Sequence, residues 1–173
     1  MPVLMASSRR ELDEQQFPWP IMLAVPLLAV FLQAYLPLRF PRLDVFDLPL
    51  LVVIYFSFSR RSPIFGTVSG AIVGLLQDGV IHRPIGIHGI ANTIIGFLAA
   101  SIGLRIDVDN PATRVLMIFG FTLVDGFLYL VIVRHLIAEP LAWSWMHQII
   151  RSAVNVALGL VLFAVLDRTR LRD

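Results

Sequence analysis

Cut at its charges and prolines, the chain falls into six apolar runs, at about 18–37, 45–59, 63–81, 85–104, 114–136 and 142–166. A membrane-crossing helix needs about 20 apolar residues, within a range near 17–25. Five runs meet that length. The second is the exception: its apolar stretch is Leu48 to Phe58, with Asp44, Asp47 and Pro49 crowding its start. It reads either as a short span where the bilayer thins or as a re-entrant segment. The pattern predicts an all-α integral membrane protein, a compact bundle of six transmembrane helices over 18–166. A polar N-terminal tail covers 1–17 and an arginine-rich tail covers 167–173. Loops of roughly two to nine residues make consecutive helices antiparallel neighbours. Pro26 lies within the first run and predicts a kink. Trp19, Trp143 and Trp145 fall at run ends, where amphipathic rings prefer the membrane interface. The first run closes on Tyr35-Leu36-Pro37 rather than on a small-residue cleavage site, so it reads as a retained span and not a signal peptide.

Composition narrows the solvent. Apolar residues make up 57% of the chain and charged residues 15%, against about 45–50% and about 25% in soluble domains. The bilayer is the solvent that fits. No cysteine is present, which excludes disulfides and thiolate metal sites. Every basic residue except the histidines is arginine. The net charge of +2 and the placement of arginines at run ends point to topology rather than nucleic acid. With the N-terminus inside, Arg9, Arg10, Arg60, Arg61, Arg105, Arg114, Arg168, Arg170 and Arg172 lie on the inner side. Arg39, Arg42, Arg83 and Arg134 lie outside, and Arg151 falls within a run. The bias predicts both termini in the cytoplasm.

The third run carries Gly66, Gly70, Gly74 and Asp78, each four apart and so on one helix face. Glycines at that spacing form a groove where another backbone can approach closely, the usual basis of membrane helix packing. The groove serves either packing inside the bundle or docking of a partner's helix. The fourth run has a looser face of small and polar residues: Gly89, Asn92, Thr93, Gly96, Ala100 and Gly103.

Three ionisable residues fall inside runs: Asp78, Asp125 and Arg151. Such residues are costly at the bilayer centre and face the bundle interior. At about 1.5 Å per residue, Asp78 and Arg151 lie roughly 25 and 24 Å from the inner side, and Asp125 about 16 Å. Asn155 lies one turn from Arg151. These depths predict a polar cluster of Arg151, Asn155 and one or both of Asp78 and Asp125. Its role is a structural lock on helix register, or a proton or substrate site. His82, His88, His135 and His147 gather at the outer ends of runs, but their spacing matches no metal-ligand motif, and no metal or cofactor is expected. No catalytic or nucleotide-binding signature occurs.

The stretch from about 48 to 166 resembles the rod shape-determining protein MreD family. The likeness rests on LPLLVVIYFSFSRR, then GTVSGAIVGLLQDGVIHRPIGIHGIANTIIGFLAA, then LVDGFLYLVIV. Within them lie the Gly74, Leu75, Leu76, Asp78 element, the turn at Gly86, His88 and Gly89, and Asp125. The family's frequent Gly-Tyr pair is Gly96-Phe97 here, and 82–83 is His-Arg. The resemblance implies a non-enzymatic component of the bacterial inner-membrane machinery that builds side-wall peptidoglycan. It implies MreC as partner, the RodA glycosyltransferase and a penicillin-binding transpeptidase as direct or indirect associates, and MreB filaments beneath the membrane. The family is similar in architecture to the substrate-binding subunits of energy-coupling-factor vitamin transporters, which makes small-molecule transport the alternative. There Asp44, Asp47, His82, His88 and His147 would line a cavity.

Overall fold

The computed structural model describes residues 17–81, 84–107, 109–138 and 143–169. Among the described residues six α-helices follow one another: α1 (Trp19–Arg39), α2 (Leu48–Arg60), α3 (Pro63–Val80), α4 (Ile87–Gly103), α5 (Pro111–Ile132) and α6 (Trp145–Asp167). A 3-10 turn, Pro41–Val45, joins α1 to α2, and α5 runs on through a wider turn, Val133–Ile137. Four of these are long and apolar enough to cross a membrane: Trp19–Arg39, Pro63–Val80, Pro111–Ile137 and Trp145–Asp167. α4, at 17 residues, sits at the lower limit of a span, and α2, at 13, falls short of it. Of the five full-length runs expected, four give long spans, and the fourth run gives a shorter helix because its first residues form a turn ending at Gly86 (φ 111°). α1 passes through Pro26 and Pro37 as one continuous helix.

The sequence explains the helix starts. Pro41, Pro49, Pro63 and Pro111 occupy first-turn positions, where a missing N–H costs nothing. Ser62, Asn110 and Ser144 cap α3, α5 and α6 by accepting from the N–H groups of Phe65, Ala112 and His147. α2 ends on Arg61 in the left-handed region (φ 52°), which turns the chain at once into α3.

α2 is the core. It touches each of the other five helices, and every residue from Pro49 to Ser59 is buried by protein. A helix apolar on all sides is a helix surrounded on all sides. Leu50, Leu51 and Ile54 are fully covered, and Tyr55 packs edge-on against Phe163 at 4.9 Å. Phe17, just ahead of α1, is buried against the rings of Tyr55 and Phe56. The outer helices leave apolar side chains uncovered, among them Trp19, Leu27, Phe31, Leu116 and Trp145, as a bilayer permits.

α3 and α4 form the closest pair. Cβ atoms placed on Gly66, Gly70 or Gly74 would overlap the carbonyls of Gly96, Asn92 and His88, and one on Gly96 would overlap the Gly66 carbonyl. The glycine groove of the third run is thus filled by the small-residue face of the fourth. No space remains in it for a helix from another protein. Farther along α4, a Cβ on Gly103 would overlap the Phe58 carbonyl of α2.

Candidate functional site: a buried polar cluster and its cavity

The cluster starts from the needs of a short helix. The first N–H groups of an α-helix have no partner within it, and buried donors must be satisfied. α2 begins deep among its neighbours, and each donor there is accounted for. Asp47 N–H donates to Asn155 Oδ1 at 3.0 Å, and Leu48 N–H to Gln33 Oε1 at 3.1 Å. Pro49 has no N–H. Leu50 N–H donates to the Asp47 carboxylate at 3.2 Å, and Leu51 N–H to the Asp47 carbonyl at 3.1 Å. Gln33 also donates to the Phe46 carbonyl at 2.9 Å, and Asn155 to the carbonyls of Val45 and Arg151 at 3.1 and 3.0 Å.

Arg151 of α6 neutralises the carboxylates. Its Nη2 lies 2.7 Å from Asp47 Oδ2 and 2.8 Å from Asp125 Oδ2 of α5. The three side chains are 5%, 2% and 15% exposed for Asp47, Asp125 and Arg151. A cation held between two anions joins α2, α5 and α6 in one register. From Asp47 the network continues into the glycine-packed pair: Gln77 of α3 donates to Asp47 at 3.4 Å, and Asn92 of α4 donates to Gln77 at 3.3 Å.

Asp78 stands apart from Arg151. It caps the start of α4, accepting from the N–H groups of Gly86, His88 and Gly89 at 2.8, 3.1 and 3.3 Å. His88 Nδ1 lies 2.6 Å from its Oδ1. Of the two aspartates left open as partners of Arg151, Asp125 pairs with it and Asp78 faces other neighbours, while Asp47 is the second carboxylate on Arg151. His88 is buried rather than interfacial, with its ring 5.6 Å from that of Tyr129. His135 and His147 are exposed, and His82 lies outside the described residues. Among the described residues no group of three or more His, Asp or Glu side chains is placed to share a metal ion.

A cavity of about 190 Å³ opens beside the cluster, walled in part by Asp44, Asp47, Gln77, His88, Gln148 and Arg151. Gly126 makes room for the Gln148 side chain, whose amide oxygen would be struck by any Cβ there. Among the described residues, Asp125 Oδ1, Gln148 Oε1, Asn92 Oδ1 and Ser152 Oγ are buried without a hydrogen-bond partner.

Sequence reasoning missed Asp47, Gln33 and Gln77 as members of this cluster. Asp47 carried a signal, since aspartate two residues before a proline and an apolar run is a helix-start signature. Gln33 and Gln77 carried a weaker one, as lone amides inside apolar runs.

No curated protein and no solved structure matches the chain. A family model does, that of the rod shape-determining protein MreD, over residues 13–168. That match takes in all six helices and both ends of the polar cluster, and four of those helices suit membrane crossing. The chain belongs to the rod shape-determining protein MreD family.

Proposed function

We propose that this rod-shape-determining membrane protein is a non-enzymatic, six-crossing scaffold of side-wall peptidoglycan synthesis in the bacterial inner membrane, with both termini in the cytoplasm. It binds the single span of an MreC-type partner. Through that contact, or directly, it holds the RodA glycosyltransferase and the penicillin-binding transpeptidase, with MreB filaments below. The family match over residues 13–168 carries this reading. The packing supports it: hydrogen bonds and ion pairs fix the interior, while the outer faces of α1 and α6 remain apolar and uncovered. Because α4 fills the glycine groove, partner contacts fall on those outer faces. The arginine bias supports the orientation.

The test is affinity purification of the tagged full chain from its native membranes in mild detergent, with partners identified by mass spectrometry. Recovery of an MreC-type protein with the synthase pair is the expected result. Recovery of a paired ATPase and its coupling membrane protein, without the cell-wall set, overturns the scaffold in favour of transport. A fluorescent protein fused after Asp173 should glow, as it does only when folded in the cytoplasm.

A further inference from the structure

The polar cavity does not end at its own walls. A second cavity, of about 540 Å³, lies between the C-terminal half of α1 and the end of α3. The two share Gln33, Asp44 and Ile81. Beyond those residues the larger one is walled by Phe31, Tyr35, Leu38 and Val80, all exposed at the surface that four long apolar helices present to a bilayer. An apolar groove on the membrane-facing side thus runs into a small polar chamber inside the protein.

The chamber has a charge preference. Asp44 and Asp47 stand in its wall, Asp125 precedes Gly126 of the wall in the chain, and among the described residues Arg151 is the one guanidinium lining it. Arg151 already bridges Asp47 and Asp125 through Nη2 and His88 lies against Asp78, so among the described residues the carboxylates in and beside the wall outnumber the guanidinium. Two further acceptors are idle: Gln148 Oε1 in the wall, and Oδ1 of Asp125, whose side chain is 2% exposed. Buried acceptors without donors are costly, and a ligand carrying several N–H groups would satisfy the Gln148 oxygen in the wall. A soluble ammonium compound would use only the chamber and leave the groove empty. A lipid uses both.

We propose that this groove and chamber bind one bilayer lipid with a primary-ammonium headgroup, its acyl chain along Phe31, Tyr35 and Leu38 and its ammonium beside Asp44 and Gln148. The site does not depend on which proteins the scaffold holds. The test uses the purified full chain, stripped of lipid by detergent washing and examined by native mass spectrometry. The probes are phosphatidylethanolamine, phosphatidylglycerol of the same acyl chains, and free ethanolamine. The expected result is one phosphatidylethanolamine retained per chain, at least about tenfold more tightly than phosphatidylglycerol. Asp44→Asn, which keeps shape and removes charge, should bring the two lipids to parity without altering the gel-filtration profile. Ala34→Trp, which fills the groove, should reduce retention of both. Equal retention of the two lipids by the parent chain overturns the proposal. So does an undiminished preference in Asp44→Asn. Free ethanolamine binding as tightly as the lipid would instead make the chamber a site for soluble ligands.

Discussion

Replacing Gly70 by alanine adds one methyl group where the α3–α4 pair has no room. The new Cβ would overlap the Asn92 carbonyl oxygen and stand 2.7 Å from its carbon and 3.1 Å from Thr93 N. All three are backbone atoms, so no rotamer change relieves the clash. Ordinary contact begins at 3.4 Å, so clearing the carbonyl oxygen requires α4 to retreat by more than about 1 Å, a gap at which dispersion contacts lose roughly half of their depth or more. Gly66, Gly74 and Gly96 lie on the same seam, and their contacts loosen with it. Overpacking costs typically about 1–3 kcal/mol, and a rigid backbone clash belongs at the top of that range.

Gly79, on the same helix, supplies the control. A Cβ there meets nothing within 4 Å, so Gly79→Ala should gain about 0.5–1 kcal/mol from backbone entropy alone. Thermal unfolding of the two purified variants in one detergent reads the difference directly. At roughly 2–4 °C per kcal/mol for a chain of this size, Gly70→Ala should melt about 6–12 °C below the parent and Gly79→Ala at or slightly above it. Equal melting temperatures for the two variants would show that the seam yields freely, and the packing argument would fail.

Arg151→Leu leaves Asp47 and Asp125 facing each other without their shared cation. Breaking a buried pair costs about 3–5 kcal/mol, so the folded yield in membranes should drop severalfold, measured by fluorescence-detected gel filtration; a normal yield refutes the lock. Asp78→Ala strips the N–H groups of Gly86, His88 and Gly89 of their acceptor. A loss of about 2 kcal/mol or more is expected from unsatisfied buried donors, seen as faster hydrogen exchange at the start of α4, while Asp78→Asn should retain part of the cap. Tyr55→Phe removes one hydrogen bond to Asp167, 2.9 Å long, and should lower stability by about 1 kcal/mol without affecting the cluster around Arg151.

Some of this could be read from the residues and some could not, for physical reasons. The four-residue spacing of Gly66, Gly70 and Gly74 defines a helix face by periodicity alone, but nothing in it names α4 as the helix that fills it. Arg151 and Asn155 are one turn apart and share a face, a local relation that spacing expresses well. Depth along a helix axis left both Asp78 and Asp125 open as partners of Arg151, because it carries no information about direction around the axis; Asp125 is the one that pairs. Backbone donors also go uncounted in a list of side chains, and those of Gly86, His88 and Gly89 are what Asp78 meets. Asp47 was passed over as a charge at the edge of a weak run. Its role depends on where that run ends in space, which is set by the five helices around it.

The weakness of the second run and the polarity of the cluster have one cause. Thirteen residues of helix reach about 20 Å, against a hydrocarbon core of about 30 Å. A helix that short, placed at the centre of a bundle whose neighbours are long enough to cross, must end at least one terminus at a level where lipid offers no hydrogen bonds. Backbone groups there must be satisfied by the protein itself. At the start of α2 this falls to Gln33, Asn155 and the Asp47 carboxylate. An ionised cap needs a counter-charge, which Arg151 provides, and Arg151 is held by Asp125 in turn. α4, the other short helix, is likewise capped by a carboxylate, Asp78, with the His88 ring beside it. The intramembrane charges that first suggest a proton or substrate site are accounted for as the caps of two short helices, Asp47 and Asp78, and the side chains that pair with them.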